Sequence, residues 1–169
     1  LVKGGDVLTY LNNGVVDLGI VGSDVLDEQG NKGYELLDLK TGVCRFILAS
    51  LEGYNPNAAR RQVIGTKYPN ITKEYFASKG QDVEIIKIEG SVELAPIIGL
   101  ADAIVDITET GTNLRENNLK IFDWLRPIST RLVVNPLALK QKRNDIFSLV
   151  DHMRQTIDAR EATKAKEEK

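Results

Sequence analysis

Two carboxylates and a short hydroxyl-rich turn stand close together in the middle of the chain. Asp106 lies near the end of the apolar run Leu100–Ile107, and Glu109 leads into the turn Thr110–Gly111–Thr112. Carboxylate oxygens can meet sugar hydroxyls or Mg²⁺, and the N–H groups of a glycine turn before a helix can face a phosphate. These residue types and their spacing predict a sugar-phosphate site.

The same turn also has a plainer interpretation. A threonine or aspartate that precedes a helix often serves only as its cap. Gly111 stands alone and no lysine follows it, so the segment matches neither a P-loop nor a dinucleotide fingerprint. Both interpretations stay open on spacing alone, and the acidic pair is the feature that favours a binding site.

Alternating strand and helix patterns must position this turn. Strand patterns cover residues 63–65, 83–88 and 103–107, and helical patterns cover residues 71–79 and 92–98. Such alternation implies a parallel sheet covered by helices, and ligands bind at the carboxyl ends of strands in such sheets. The segments Glu89–Ser91 and Asp106–Thr112 are therefore expected at one edge of the sheet.

The composition argues against several classes of protein. The formal net charge is −2, which gives no general attraction to nucleic acid. No apolar run approaches the roughly 20 residues that cross a bilayer, and the first residues lack the apolar core of a signal peptide. The single cysteine, Cys44, cannot form an intrachain disulfide, as expected in a reducing cytoplasm. We expect a soluble cytoplasmic protein that binds neither nucleic acid nor membrane.

A longer stretch of sequence carries a family resemblance. The segment Gly90–Leu119 resembles the signature segment of the ATP phosphoribosyltransferases, which begin histidine biosynthesis. Further similar segments follow the family's order and spacing, namely DVLTYLNNGVVDLGIVGSDVL, YELLDLKTGVCRFILA, TKYPNITKEYFASKG and ISTRLVVNP. A long ordered match is far more specific than a single short motif. The resemblance covers most of the chain.

The resemblance implies a fold, and the strand and helix patterns agree with it. We expect an α/β protein of two lobes with parallel-type sheets, similar to periplasmic binding proteins of type II, with a ligand cleft between the lobes. Residues 1–45 plus 127–169 are expected to form lobe one, and residues 46–126 an inserted lobe two with the phosphoribosyl pyrophosphate loop. The final helix is predicted at about residues 142–160, and the charged run Glu161–Lys169 is predicted to fray.

The resemblance also implies a reaction, in which N1 of ATP attacks C1 of phosphoribosyl pyrophosphate and expels pyrophosphate with the help of Mg²⁺. A transition state of oxocarbenium character is stabilised by nearby carboxylates, and the leaving group by a cation. No protein nucleophile is needed, and the chain offers no Ser-His-Asp or Cys-His arrangement. No catalytic residue and no metal ligand is therefore assigned, although Mg²⁺ is the expected cofactor.

Residue roles follow from the resemblance at matching positions. Asp106 and Glu109 would contact ribose hydroxyls, and the donor 5′-phosphate would lie in the loop formed by Glu109, Thr110, Gly111, Thr112, Asn113 and Leu114. Glu93 would contact ribose or metal, or serve only as a first-turn carboxylate. Lys67 would meet phosphates of pyrophosphate or ATP, or be solvated. Gly22 and Asp24 would line the ATP side, or form a plain tight turn.

Two segments of the family are not found in these 169 residues. Members normally open with a strand and a Lys-Gly-Arg loop, and long members carry a C-terminal domain that binds histidine. The chain resembles the short form of the enzyme, without its N-terminal segment. The short form works in a hetero-oligomer with a regulatory subunit related to histidyl-tRNA synthetase. On this basis we expect the isolated chain to show little or no transfer.

Two interpretations from other classes stay open at this stage. A two-lobed α/β chain also describes a non-enzymatic small-ligand binding module, although neither a signal peptide nor a helix-turn-helix pattern is apparent. The chain would alternatively be an inactive fragment of the enzyme. Release of pyrophosphate from the donor and ATP distinguishes the enzyme from both.

Overall fold

The chain folds into two compact units. The structure, a computed structural model, describes residues 2–30 and 34–167. Unit one comprises Leu1–Val43 and Ser129–Lys169, and unit two comprises Cys44–Ile128. The chain therefore passes between the units twice, after Val43 and after Ile128. The ligand cleft expected between the lobes stays a prediction.

Strands and helices alternate along most of the chain. In chain order the elements are α1 (Gly4–Asn12), β1 (Leu18–Gly22), α2 (Ser23–Glu28), β2 (Tyr34–Asp38), β3 (Cys44–Ser50), β4 (Gln62–Thr66), α3 (Pro69–Ser78), β5 (Val83–Lys87), α4 (Leu94–Ile97), β6 (Ala103–Thr108), α5 (Thr112–Glu116), β7 (Lys120–Ile128), β8 (Thr130–Val134), α6 (Pro136–Gln141) and α7 (Arg143–Glu167). The predicted α/β class is confirmed.

Unit one is built on a three-stranded antiparallel sheet of order β1-β8-β2. Side chains of a strand alternate between the two faces of its sheet, and β8 has a core on each face. Val133 packs with Leu8 and Leu11 of α1, whereas Leu132 and Val134 pack with the apolar stripe of α7. Helices thus cover both faces of this sheet.

Helix α7 continues beyond its predicted end. The expectation that the chain frays from residue 161 is wrong as far as Glu167, where the helix ends; residues 168 and 169 lie outside the described part. Arg160 Nη2 donates to the Leu39 carbonyl at 2.8 Å, and Glu161 pairs with Lys40 at 2.9 Å. These contacts hold this part of the helix against the segment at Leu39 and Lys40. The residues that follow are mostly alanine, glutamate and lysine, which favour helix.

Unit two contains a five-stranded mixed sheet of order β5-β4-β6-β3-β7. Strands β5, β4 and β6 pair in parallel, as predicted for this region. Strand β3 pairs antiparallel with both β6 and β7, so the expectation of parallel pairing does not extend to these strands or to unit one. The chain enters unit two at Cys44, the first residue of β3, and leaves it after Ile128, the last residue of β7. Because these two residues are paired, β3 and β7 run in opposite directions.

The parallel strands bring three loops to one edge of the sheet. Strands β4, β5 and β6 end at Thr66, Lys87 and Thr108, and their carboxyl ends point the same way. Behind this edge the packing is tight: a Cβ on Gly65 would lie 3.1 Å from Ile88 Cδ1. The loops after β4, β5 and β6 are thereby held close together.

Asn135 links the start of α6 to the end of α1. Its side-chain oxygen accepts the N–H groups of Leu137 and Ala138 at 2.8 and 3.0 Å, and its amide donates to the Leu11 carbonyl at 2.7 Å. The residue is 8% exposed. Removal of this side chain leaves the buried Ala138 N–H without its acceptor and takes one of two donors from the Leu11 carbonyl.

Asn135→Ala should lower the free energy of unfolding by about 1–3 kcal/mol, because a helix cap and a buried carbonyl both lose a partner. Urea denaturation measures the change. Asn13→Ala is the matched control, since its amide also donates to a carbonyl, Thr9 O at 2.8 Å, but at the surface. Equal losses in the two variants would contradict the assignment.

Candidate active site

A cavity of about 220 Å³ opens at the carboxyl end of β6, within unit two. Its lining brings together most of the residues predicted from the sequence, namely Glu93, Asp106, Glu109, Thr110, Thr112, Asn113 and Leu114, and adds Ile107 and Thr108. Gly111 lies within the same turn. Residues from two separate loops, one after β5 and one after β6, therefore share a single cavity.

Gly111 gives the turn its shape. Its φ of 73° and ψ of 11° lie in the left-handed region, which side chains with a Cβ rarely adopt. A Cβ built on this residue would meet nothing within 4 Å, so the backbone conformation and not crowding requires glycine. The N–H of Gly111 donates to Thr108 Oγ1 at 2.8 Å, which closes the turn.

The turn leaves several N–H groups available. In the described part of the chain, the N–H groups of Thr110, Thr112, Asn113 and Leu114 have no hydrogen-bond acceptor. The first N–H groups of a helix lack intrahelical partners and carry partial positive charge. The Thr110 and Thr112 hydroxyls lie 2.9 Å apart, at the same turn. An anion is the chemical partner that these groups suit.

The Asp106 carboxylate lies in a largely buried position. Burial raises the pKa of this carboxyl above its ordinary value, and the negative charge of Glu93 acts in the same direction. The Ile107 N–H, which donates to Asp106 Oδ1 at 2.8 Å, and the positive charge of Lys67 lower that pKa and oppose the shift. The carboxylates of Asp106 and Glu93 are thus close enough to repel each other.

The Lys67 side chain is exposed and charged, whereas the Leu114 side chain is buried in the core. Lys67 follows β4 and has an exposed side chain, and its charge acts on Asp106. The Leu114 side chain is 6% exposed and packs with Ile47 and Ile104 in the core. Only the backbone of Leu114 is therefore available to a ligand, whereas its side chain anchors the short helix α5.

Gly22 and Asp24 lie in unit one, at the end of β1 and the start of α2. The Asp24 carboxylate occupies the place that a Cβ on Gly22 would take. A side chain at position 22 would therefore displace the Asp24 carboxylate. A role for either residue on the ATP side stays a prediction.

The sequence analysis gave no role to two residues at the cavity, Thr108 and Arg115. Thr108 accepts the Gly111 N–H, and Arg115 Nη2 lies 3.4 Å from Thr112 Oγ1. A signal existed for each residue. A threonine three positions before a turn glycine is a familiar side-chain to backbone pairing, and residues three apart on a helix are neighbours. Arg115 thereby adds a cation near the turn.

Across residues 2–30 and 34–167, no group of three or more His, Cys, Asp or Glu side chains is placed to hold a metal ion. Within the same ranges no helix is long and apolar enough to span a bilayer. His152 lies on α7, where its Nδ1 is 2.6 Å from the Ser148 carbonyl oxygen.

Asp106→Asn should change how stability depends on pH. A raised pKa in the folded protein means that Asp106 contributes stability below its unfolded pKa of about 3.9, and that this contribution is lost as pH rises through the folded-state pKa. Asparagine keeps an oxygen for the Ile107 N–H and has no charge. The variant should therefore be stabilised, relative to the native chain, more at pH 7 than at pH 4.

Urea denaturation of both proteins at pH 4 and pH 7 measures this difference. The comparison cancels the other titrating groups, because they are common to the two chains. If the advantage of the variant is larger at pH 4, the burial and repulsion described for Asp106 are wrong.

Comparisons with known proteins agree with the sequence resemblance. Residues 3–155 match the family model described as HisG: ATP phosphoribosyltransferase. The ATP phosphoribosyltransferase of Lacticaseibacillus casei is 64% identical over 153 residues, which are 90% of this chain and 72% of the relative. That of Listeria monocytogenes serotype 4a is 55% identical over 157 residues, which are 93% of this chain and 74% of the relative.

Solved structures give the same result for the fold. The ATP phosphoribosyl transferase (HisG:HisZ) complex from Thermotoga maritima has a chain with a TM-score of 0.84 and 43% identity, covering 94% of this chain and 79% of that chain. The periplasmic aliphatic sulphonate binding protein SsuA from Escherichia coli has a TM-score of 0.65 at 13% identity, covering 97% of this chain and 62% of that chain. The latter shows the fold alone and confirms the predicted likeness to periplasmic binding proteins. By its family-model match and its identity to these relatives, the chain belongs to the ATP phosphoribosyltransferase family.

Proposed function

We propose that the chain transfers the phosphoribosyl group of phosphoribosyl pyrophosphate to N1 of ATP and releases pyrophosphate, the first step of histidine biosynthesis. The observation that carries the proposal is the cavity at the end of β6, which combines carboxylates with available N–H groups in a chain of this family. A non-enzymatic binding module is not favoured, since relatives at 55–64% identity are named as the enzyme.

The turn after β6 is proposed to hold the 5′-phosphate of the donor. The N–H groups of Thr110, Thr112, Asn113 and Leu114 would donate to phosphate oxygens, and the Thr110 and Thr112 hydroxyls would exchange their mutual contact for the ligand. Such charge-assisted bonds are shorter and stronger than neutral ones. The Gly111 N–H, already bonded to Thr108, would maintain the shape of the turn.

The carboxylates are proposed to act on the sugar. Asp106 and Glu109 would accept hydrogen bonds from ribose hydroxyls at one side of the cavity. As the bond from C1 to pyrophosphate breaks, positive charge develops on the ribose ring, and nearby carboxylates stabilise it. The carboxylates of Asp106 and Glu93 repel each other. A positive charge that develops between them would reduce this repulsion, so it would be more favourable here than in water.

The acidic residues of the cavity fit Mg²⁺ only in part. Mg²⁺ is commonly held by one or two carboxylates together with substrate phosphates and water, not by a full set of protein ligands. Glu93 and Asp106 would supply those carboxylates, since their charges interact across the cavity. When bound, Mg²⁺ would neutralise charge on the departing pyrophosphate.

Positive charge from the protein would assist on the other side. Lys67, at the end of β4, is proposed to contact the pyrophosphate or the phosphates of ATP, since its side chain is exposed and its charge already acts on Asp106. Gly22 and Asp24 are proposed as contacts to ATP, on the strength of the family resemblance of their segment. No protein nucleophile takes part in the proposed displacement.

A partner subunit is part of the proposal. The similar chain from Thermotoga maritima was solved as a HisG:HisZ complex. We propose that this chain likewise forms a hetero-oligomer with a regulatory subunit related to histidyl-tRNA synthetase, through which histidine would inhibit. The cytoplasm, where ATP is abundant, is the proposed location.

The activity is tested by pyrophosphate release from phosphoribosyl pyrophosphate and ATP with Mg²⁺, using the chain together with its regulatory subunit. Asp106→Asn should lower kcat/KM by roughly 10–100-fold, because a charge-assisted contact worth about 1.5–3 kcal/mol is lost. Asp145→Asn, an exposed carboxylate of α7, is the control and should leave the rate unchanged. No release from the native complex would overturn the proposed function, and an unaffected Asp106→Asn enzyme would remove Asp106 from the site.

Gly111→Val should weaken binding of phosphoribosyl pyrophosphate by tenfold or more. The added side chain strains a backbone at positive φ and enters the open space beside the turn. Gly80→Val is matched to it, since Gly80 has a φ of 69° and equally open surroundings but follows α3, away from the cavity. Calorimetric titration with the donor measures affinity, and urea denaturation measures stability.

The two glycine variants should lose similar stability and differ in donor affinity. If Gly80→Val binds the donor as weakly as Gly111→Val, general destabilisation explains the effect and the turn is not the phosphate site.

A further inference from the structure

Thr66 is a fully buried polar residue at the end of β4. Its side chain is 0% exposed. The hydroxyl donates to the Val105 carbonyl at 2.7 Å and accepts the Tyr68 N–H at 2.9 Å. The Thr66 carbonyl accepts the Ile88 N–H at 2.9 Å. A hydroxyl taken out of water is costly unless it is hydrogen-bonded, and here it has partners on both sides.

These partners belong to three different segments of the site edge. Val105 immediately precedes Asp106 on β6, and Tyr68 immediately follows Lys67. Ile88 begins the loop that leads from β5 to Glu93. One buried residue thus connects the backbone of all three segments that carry charged groups of the cavity region.

This arrangement fixes the backbone on both sides of Lys67. Its neighbours in the chain are bonded to each other, since the Tyr68 N–H reaches back to the Thr66 hydroxyl. Thr66 also pairs with Val105 in the sheet register, so the backbone of Lys67 is held at a fixed place relative to Asp106. The Lys67 side chain is exposed, and its charge acts on the Asp106 carboxyl.

We propose that Thr66 is a positioning residue for the transfer reaction, whose hydroxyl holds Lys67 facing Asp106 so that its ammonium group meets the pyrophosphate of the donor. Thr66 itself is buried and touches no substrate. The proposal rests on the proposed function of the same site, and it adds a residue that acts through Lys67.

A double-mutant cycle tests the proposal, with donor affinity measured by calorimetric titration in the presence of Mg²⁺. Lys67→Ala should weaken binding of phosphoribosyl pyrophosphate about tenfold, the loss expected for one contact between charged groups. Thr66→Val removes the hydroxyl at similar volume and should weaken binding by a similar factor. In the Lys67→Ala background, Thr66→Val should have almost no further effect, because residues that act as a unit are not additive.

Matched variants separate positioning from general structure. Thr66→Ser keeps the hydroxyl and should restore donor affinity to within about twofold. Thr72→Val removes another hydroxyl of a 0% exposed threonine, which donates to the Tyr68 carbonyl at 2.7 Å at the start of α3, and should leave affinity unchanged. Lys73→Ala removes an exposed charge from the same unit and controls for net charge.

Each outcome decides the question. Independent losses that add in the double variant, or no rescue by Thr66→Ser, would overturn the proposal, as would an unchanged affinity in Lys67→Ala. Should Thr66→Val fail to fold, Thr66→Ala, which removes the same hydroxyl and leaves a smaller side chain, takes its place in the cycle. Failure of the proposed function is distinguishable, because the native complex would then release no pyrophosphate from phosphoribosyl pyrophosphate and ATP.

Discussion

Parallel pairing of β5, β4 and β6 is the constraint on which the candidate site depends. Parallel strands end at the same edge of a sheet, so the residues that follow them meet even though they are far apart in sequence. The loops after Thr66, Lys87 and Thr108 carry Lys67, Glu93 and the turn of the cavity respectively. The antiparallel strands β3 and β7 complete the sheet and connect it to unit one, and Arg45 of β3 pairs with Thr108 at this same edge.

At this edge of the sheet, opposing electrostatic effects act on the Asp106 carboxyl. Asp106 is kept partly out of water beside Glu93, which disfavours its charged form and raises its pKa. The Ile107 N–H and Lys67 offset part of this effect, and a ligand with developing positive charge would offset more. On the proposed function, a site that is electrostatically unfavourable by itself would become favourable in the transition state, and such differential stabilisation is what raises a rate. The proposed function and the stability of the fold would thus place opposite demands on position 106.

The sequence predicted which residues line the cavity more accurately than it predicted where the last helix ends. Residue type and spacing predicted that Asp106, Glu109 and the turn at Thr110–Thr112 lie together, as they do around the cavity, because these residues are close in the sequence. Their role in binding stays a prediction. Thr66 was not found, since its importance comes from partners 22 and 39 positions away that only the folded sheet brings near. The helical end of α7 was missed for a similar reason: Arg160 and Glu161 are held by residues near position 40.

The directions in which the strands pair could also be predicted only in part. Strand and helix alternation correctly predicted the parallel strands of unit two, where each crossover carries its own helix. It did not reveal that β3 would join this sheet antiparallel, because β3 sits between β6 and β7 through contacts distant in sequence.

The hydrogen bonds inside the turn also bear on how a phosphate would be bound. The Gly111 N–H is held by Thr108, a bond that keeps the loop in its left-handed shape. The bond between the Thr110 and Thr112 hydroxyls has no such role, because hydroxyls rotate freely to new partners. A phosphate can therefore take over the hydroxyls and the available N–H groups while the backbone keeps its conformation. Little ordering would then oppose binding, which is the advantage of a preorganised site.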